Sequence, residues 1–319
     1  MLYAYVPDGP RLARLAPDAG LASARWIDLY RPLPAQVEAV AALGIEVPTL
    51  ADMEEIELSN RLYRDNGMDF LTVVLPGKDV EGEQVTGPVT FILTPDRLVT
   101  VRHHDPQPFS TYPERAQKVG PGITQPEHLF LSLVEEIIGR QADLLESVGR
   151  SLDGIGRRVY RDGQAANAET LQALLMQIGR ESELVGRVRL GLLTMERAIS
   201  YFGQALPERP RGKALTGTIK GLMRDIKALE VHADFLSSRV AMVTEVTLGM
   251  INLSQNQTIK IVSVVAVVFL PPTVIASAYG MNFANMPELE WTWGYPMALG
   301  LMLASAVGTF VFFKWRKWL

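Results

Sequence analysis

The sequence predicts a membrane protein in which an α+β cytoplasmic domain is followed by long helices and two C-terminal transmembrane helices. Three observations predict this architecture. Residues 1–126 change pattern every few residues, residues 127–258 keep helical periodicity, and residues 261–287 and 291–313 contain no Asp, Glu, Lys or Arg. A helix needs about 20 mostly apolar residues to cross the core of a bilayer, so each of the last two stretches is long enough.

Residues 1–126 are predicted to form a small cytoplasmic α/β domain. Short segments rich in β-branched and aromatic residues alternate with helical ones, and Pro and Gly separate them. The predicted strands are Met1–Val6, Arg25–Leu29, Asp69–Leu75, Pro88–Leu93 and Leu98–Arg102, and the predicted helices are Pro34–Leu43 and Leu50–Leu58.

Residues 127–210 are predicted to form a helical hairpin. No proline occurs between Glu127 and Leu206, and apolar residues recur at steps of three and four, as in Leu171, Leu174 and Ile178. Small polar residues after Asp162 are expected to separate the two helices of the hairpin.

The next helix is predicted to be unusually long. No proline lies between Pro210 and Pro271, so residues 211–258 form a stalk that runs into the first membrane span. If Lys213–Tyr279 is one helix, it measures roughly 100 Å. The apolar stripe of such a helix has little to cover it in a monomer. Because the chain has no internal repeat, copies of the chain must supply that cover, and a homo-oligomer around a central pore is expected.

Flanking charges predict the orientation of the two spans. Lys260 precedes the first span and three basic residues follow the second, whereas the connection carries Glu288 and Glu290 and no basic residue. The positive-inside rule then places both termini in the cytoplasm, as in a multi-pass protein of the inner (cytoplasmic) membrane. The predicted segments are transmembrane helix 259–282, external loop 283–294, transmembrane helix 295–313 and basic cytoplasmic tail 314–319.

Composition excludes several classes of function. The chain has a formal net charge of −4, and the part before the spans is more acidic still, which argues against nucleic-acid binding. No cysteine is available for thiolate metal sites. His103–His104 are expected to alternate across a strand, so they cannot ligate one metal together. Because GxxxxGK[ST], GxSxG and HExxH motifs are also missing from the sequence, we expect neither an enzyme nor a cofactor.

The C-terminal region resembles the CorA magnesium-channel family. The resemblance is carried by Tyr279–Asn282, by Met286–Leu289 and by Trp293–Pro296, and the strong match covers roughly 249–319. A weaker match at Trp26–Asp28 extends over the N-terminal domain. The resemblance implies a funnel-shaped homopentamer in which five long helices line one pore.

The motif Gly280, Met281 and Asn282 is the predicted selectivity filter. Magnesium gives up its water reluctantly, so neutral amide and carbonyl oxygens that bind its hydration shell suit a filter. Asn282, repeated by symmetry, supplies such a ring, Gly280 is expected to permit an unusual backbone conformation, and Met281 is expected to pack outward. The alternative is that Gly and Asn only cap the helix.

One face of the long helix is predicted to line the pore. This face is polar at its cytoplasmic end, apolar in the middle and polar again near the filter, and an apolar constriction can gate by dewetting. The alternative is that these side chains only pack helices together. Pro271 and Pro272 are expected to kink the helix unless neighbouring groups repair it, and so to shape the constriction or to be purely structural. The predicted pore-lining residues are Asn252, Asn256, Ile259, Val262, Ser263, Ala266, Leu270, Thr273 and Ser277.

The predicted function is uptake of magnesium, with cobalt and nickel as further candidate ions. A divalent ion gains about 4.6 kcal/mol per 100 mV, enough for an accumulation on the order of 2,000-fold without ATP. An open channel would overfill the cell, so a sensor of internal magnesium is expected. The resemblance implies sensing carboxylates at Glu55 and Asp225, and Glu245 is a candidate ring at the inner mouth. The alternative is that each is an ordinary solvated carboxylate.

Two other functions stay open. The nearer one is a proton-coupled zinc transporter on the same scaffold, of the ZntB type, although zinc finds few preferred ligands in a chain without cysteine. The other is a membrane-anchored signalling or scaffold protein, which would have no use for a polar filter motif. Ion flux into proteoliposomes distinguishes a transporter from an anchor.

Overall fold

The computed structural model describes residues 1–16, 19–162, 168–206, 212–281, 286–287 and 290–316. The chain divides into two compact units. One unit contains residues 1–155 and 177–243, and the other contains residues 156–176 and 244–319.

A seven-stranded mixed sheet forms the centre of the first unit. Its order is β2-β1-β3-β7-β6-β5-β4, and β3 and β7 pair in parallel while the other neighbours are antiparallel. The strands are β1 Leu2–Asp8, β2 Arg11–Arg14, β3 Trp26–Tyr30, β4 Leu62–Asp65, β5 Met68–Lys78, β6 Gln84–Leu93 and β7 Leu98–Arg102.

Eight α-helices accompany the sheet among the described residues, four short and four long. The short helices belong to the N-terminal domain, and two of the long ones precede the helix that enters the predicted membrane region. The helices are α1 Pro34–Ala41, α2 Leu50–Glu54, α3 Leu58–Arg61, α4 Pro108–Arg115, α5 Pro126–Asp162, α6 Ala168–Gln204, α7 Gly212–Tyr279 and α8 Gly294–Trp315.

Both faces of the sheet are buried, which is why its central strands are apolar almost throughout. Alternate residues of a strand point to opposite faces. Ile27 and Leu29 share one face with Val40 of α1 and Met53 of α2 in a single hydrophobic cluster.

The opposite face packs against a chain of aromatic rings. Trp26 lies 5.9 Å from Tyr112 of α4, and Phe91 lies 5.3 Å from Phe130 of α5, measured between ring centroids. Phe130 in turn lies 5.1 Å from Phe202 of α6. The sheet is therefore the middle of three layers.

The structure confirms the five predicted strands and the first predicted helix to within a few residues. The predicted helix Leu50–Leu58 is wrong in its continuity, because it divides into α2 and α3. The break falls at Glu55, whose ψ of 138° is incompatible with a helix. His103–His104 lie in a bend just after β7 rather than within a strand.

The strands β2 and β4 and the short helix α4 were not predicted from the sequence. The edge strand β2 has only four residues, two of them Arg, so its pattern is weak. The hairpin of β4 and β5 had a clear signal in the sequence, the pair Asn66–Gly67 between the two strands. In the structure both residues have positive φ, 49° and 78°. An Asn-Gly pair is the typical two-residue turn of such a hairpin.

The long helix is confirmed as one element of 68 residues that continues through Pro271 and Pro272. Each proline removes a backbone donor from the helix. The hydroxyl of Thr273 donates to the carbonyl of Phe269 at 2.7 Å, which adds a hydrogen bond to the turn containing the two prolines.

Candidate functional site

The filter motif begins where α7 ends. Helix α7 closes at Tyr279, the amide of Gly280 donates to the Ala276 carbonyl at 2.9 Å, and Met281 is exposed. Asn282 and the loop residue Glu288 lie outside the described residues, whereas Glu290 is described and exposed.

The expectation of an unusual backbone conformation at Gly280 is wrong, because the φ of Gly280 is not positive. Glycine has a steric reason instead. A Cβ at Gly280 would lie 3.1 Å from the Ala276 carbonyl oxygen, which is tighter than about nine in ten real Cβ contacts.

All nine predicted pore-lining residues are exposed in the single chain. The three large apolar ones, Ile259, Val262 and Leu270, are 63%, 63% and 59% exposed. Most residues of the chain between 259 and 281 are exposed, so the few covered positions are more informative. Those positions are Val264, Val268, Pro271, Pro272, Ile275 and Tyr279, and all of them except Pro272 recur at steps of three and four.

The covered stripe lies about half a helical turn from the predicted pore face, since 3.6 residues make one turn. Near the filter, the exposed face includes a shallow depression lined by Leu270, Thr273, Ser277 and Met281. The structure thus brings the outermost predicted pore residues together on one side of α7.

Helix α8 also has a single covered stripe. Gly294 and Ala298 are buried, and Met302, Ser305 and Thr309 are half-buried at helical spacing. Helices α7 and α8 are both long and apolar enough to cross a membrane.

Glu55 lies in an open acidic depression of the first unit. Its side chain accepts a hydrogen bond from Asn60, and Glu46 and Asp52 line the same depression of about 460 Å³ with Tyr63. Hydrogen bonds from the Thr49 hydroxyl and amide lower the pKa of Asp52, which keeps it charged. Burial and the nearby carboxylates raise the pKa of Tyr63.

Glu55 was predicted from the sequence as a sensing carboxylate, whereas Glu46 was not. Glu46 precedes α2 by four residues, and only the turn into that helix brings the two carboxylates to one depression. No periodic pattern in the sequence indicates this.

The other two predicted sensing residues, Asp225 and Glu245, are exposed on α7. Among the residues that the structure describes, no three His, Cys, Asp or Glu side chains lie close enough to hold a metal ion together. Asp225 is not among the described residues that line the depression around Glu55.

Comparison with known proteins gives matches over the whole chain. The family model described as CorA-like Mg2+ transporter protein matches residues 22–315. The magnesium transport protein CorA of Yersinia pseudotuberculosis is 33% identical over 324 residues, covering 100% of both chains.

Solved structures agree on the fold. The complete CorA magnesium transporter of Methanocaldococcus jannaschii has a TM-score of 0.73 at 18% identity and covers 100% of this chain and 99% of its own. The ZntB cytoplasmic domain of Vibrio parahaemolyticus has a TM-score of 0.56 at 11% identity and covers 80% of this chain and 97% of its own.

Proposed function

This chain belongs to the CorA-like Mg2+ transporter family, and we propose that it is a magnesium uptake channel of the inner membrane, gated by internal magnesium. The observation that carries the proposal is the match over residues 22–315, which includes the α+β domain, the long helices and both apolar helices. Cobalt and nickel are further candidate ions, since the same amide ring would accept their hydration shells.

The working unit is a homopentamer with both termini in the cytoplasm. The uncovered face of α7 supports an assembly around an axis, because this face needs partners that a single chain does not provide. The proposed division is domain 1–126, helical hairpin 127–210, stalk 211–258, transmembrane helix 259–282, external loop 283–294, transmembrane helix 295–313 and tail 314–319.

Selectivity is assigned to the ring of Asn282 side chains, next to Gly280 and Met281 at the end of α7. Five neutral amide oxygens bind the water shell of a divalent ion without trapping it. The membrane potential supplies the driving force, about 2.3 kcal/mol per charge per 100 mV. The external Glu288 and Glu290 raise the local concentration of cations at the entrance.

Gating is assigned to the apolar part of the pore face, between Ile259 and Leu270. A ring of Val262 or Leu270 side chains in a narrow pore excludes water and therefore ions. Magnesium bound by Glu55 and Asp225 of neighbouring subunits, and by Glu245 at the inner mouth, favours the closed bundle. Sites shared between subunits are consistent with the lack of a three-ligand cluster among the described residues of one chain.

Proton-coupled zinc transport of the ZntB type is the second function that the sequence left open. The likeness to the ZntB cytoplasmic domain has 11% identity and concerns the fold alone, so it does not favour zinc. The flux experiment includes zinc for this reason.

The test is ion flux into proteoliposomes that contain purified full-length protein. Wild type is expected to admit magnesium along an imposed potential, and Asn282→Ala to abolish the flux while the oligomer measured by light scattering stays intact. Asn285→Ala, which removes an amide three residues beyond the motif, is the matched control and is expected to retain flux. Normal flux in assembled Asn282→Ala would overturn the filter assignment, and proton-dependent zinc flux without magnesium flux would establish the zinc alternative.

A further inference from the structure

A polar cleft lies in the first unit, and none of its lining residues is assigned to transport. It has a volume of about 320 Å³ and opens between the end of the β5–β6 hairpin and helices α4 and α5. Its polar lining consists of Lys78, Gln84, Asp105, Gln107, Ser110 and Arg140.

The cleft carries uncompensated positive charge. The side chains of Lys78 and Arg140 make no hydrogen bond or ion pair with any residue that the structure describes. The lining has one acid, Asp105, whose Oδ1 accepts from Nη1 of Arg102 at 2.6 Å. Because Arg102 also pairs with Asp28, Asp105 still offsets one of the two cations. Lys78 and Arg140 therefore leave the cleft with a net positive charge, on a chain whose net charge is negative, and such a site attracts an anion.

The frame of the cleft is fixed before any ligand binds. Lys78 and Asp105 form a reciprocal backbone bridge, with the Lys78 amide donating at 3.1 Å and the Asp105 amide at 2.8 Å. Gly77 keeps the wall thin, since a Cβ there would lie 2.8 Å from the Asp105 backbone. The bridge fixes the backbone that carries Lys78, while the Lys78 and Arg140 side chains stay free to adapt to a ligand.

A second depression continues from the cleft and shares Gln84 and Leu144 with it. Its volume is about 420 Å³, and Leu144 of α5 and Leu184 of α6 form its apolar part. The two volumes are each in the range of small-molecule sites, about 300–1,000 Å³. The groove thus has room for an anionic group and for an organic body beside it.

Charge gives the groove a direction. The second depression is lined by three acids, Glu83, Glu181 and Glu183, and by two arginines, Arg180 and Arg187. Of these, Glu181 accepts from the Ser151 hydroxyl at 2.6 Å and Glu183 pairs with Arg187. The second depression therefore has one acid more than it has arginines, whereas the cleft has one cation more than it has acids. An anionic group is favoured at the Lys78 and Arg140 end, and an uncharged ring with an amino donor is favoured beside Glu83.

We propose that this groove binds a nucleoside phosphate, with its phosphates on Lys78 and Arg140 and its base along Leu144 and Leu184. Arginine matches phosphate oxygens in a bidentate fork, and lysine binds phosphate as a compact point charge. The exocyclic amino group of the base donates to the free carboxylate of Glu83. The proposal is independent of the transport assignment.

The test is calorimetric titration of the full-length protein in detergent with ATP, in EDTA so that magnesium binding does not contribute. One ATP per chain is expected. Lys78→Ala and Arg140→Ala are each expected to weaken binding by about tenfold or more, because each loses a charge-assisted contact. Arg140→Lys is expected to fall between wild type and Arg140→Ala.

Arg150→Ala is the matched control, because Arg150 is an exposed arginine on the same helix that pairs with Glu146. It is expected to bind ATP like wild type. Inorganic tripolyphosphate is expected to bind several-fold more weakly than ATP, since it lacks the base.

Two results would overturn the proposal. One is no ATP binding at millimolar concentration, or equal affinity in wild type, Lys78→Ala and Arg140→Ala. The other is equal affinity for tripolyphosphate and ATP, which would remove the base from the groove. Because the readout is binding, a failure of magnesium flux does not affect it.

Discussion

The guanidinium of Arg102 donates to the carboxylate of Asp28 on the neighbouring parallel strand, with Nε and Nη2 lying 3.1 and 2.9 Å from Oδ2. Both side chains are buried. The Thr100 hydroxyl donates to Asp28 Oδ1 at 2.8 Å and in turn accepts from Trp26 Nε1 at 3.0 Å. This network satisfies two charges inside the sheet layer.

Asp28→Ala is expected to destabilise the first unit by about 3–5 kcal/mol, because it leaves the Arg102 charge buried without its main partner. Denaturant unfolding in detergent measures the change. Asp153→Ala, which removes the more exposed ion pair with Arg239, is the control and is expected to cost about 1 kcal/mol or less. Equal losses for the two variants would contradict this account.

Stability is expected to depend on the protonation of His104. Burial lowers its pKa to about 4, and its Nε2 donates to the Leu75 carbonyl at 2.9 Å. In the unfolded chain the pKa is about 6.5, so the unfolded state binds more protons between these values. The free energy of unfolding therefore falls as pH drops from about 6.5 to 4, by about 3 kcal/mol from this group. His104→Gln should show a correspondingly shallower pH profile, and parallel profiles would refute the assignment.

His104 also leaves no room for a side chain at position 87. A Cβ at Gly87 would lie 2.8 Å from Nδ1 of His104, so Gly87→Ala is expected to cost about 1–3 kcal/mol in thermal unfolding. Gly217→Ala is the control, because nothing lies within 4 Å of its Cβ position in helix α7, and it is expected to be neutral or stabilising. Adding His104→Ala to Gly87→Ala should recover part of the loss. Strict additivity of the two changes would argue against the contact.

The apolar gate is expected to leak when it is made polar. Val262→Asn and Leu270→Asn place amides on the exposed face of α7 and should raise closed-state flux at high internal magnesium by roughly tenfold, equivalent to about 1.4 kcal/mol. Val265→Asn changes an exposed valine about a third of a turn from the centre of the pore face and serves as the control. A gate elsewhere in the chain would leave both pore-face variants as tight as wild type.

Magnesium sensing is expected to depend on charge neutralisation between subunits. A shift from mostly closed to mostly open takes about 5.5 kcal/mol, or roughly 1 kcal/mol at each of five interfaces. Wild type should be protected from protease at millimolar magnesium, and a Glu55→Lys, Asp225→Lys double variant should be protected without it. If wild-type digestion ignores magnesium, the sensor is refuted and only the pore remains.

The fold was largely predictable because its strands and long helices follow simple periodicities. Helix α7 was predicted within a residue of its start, since no proline interrupts 60 residues and the two later prolines lie inside a continuous apolar run. Strand β4 was missed although Asn66–Gly67 indicates a hairpin, because four residues are too few to show a pattern. No sequence pattern indicates that Lys78 and Arg140 line the same cleft, since tertiary packing alone brings them to it. Asn282 lies outside the described residues, so the filter stays a prediction.

The sheet has a consequence for how the protein is made. All seven strands lie between Leu2 and Arg102, and the first apolar span begins only near Ile261. At about 5–20 residues per second, a ribosome needs roughly 8–30 seconds to synthesise the intervening chain. Small mixed domains fold within milliseconds to seconds, so the strands have time to pair before any span reaches the translocon. The aromatic partners Phe130 and Phe202 also emerge in this interval, which allows the soluble layers to close before membrane insertion starts.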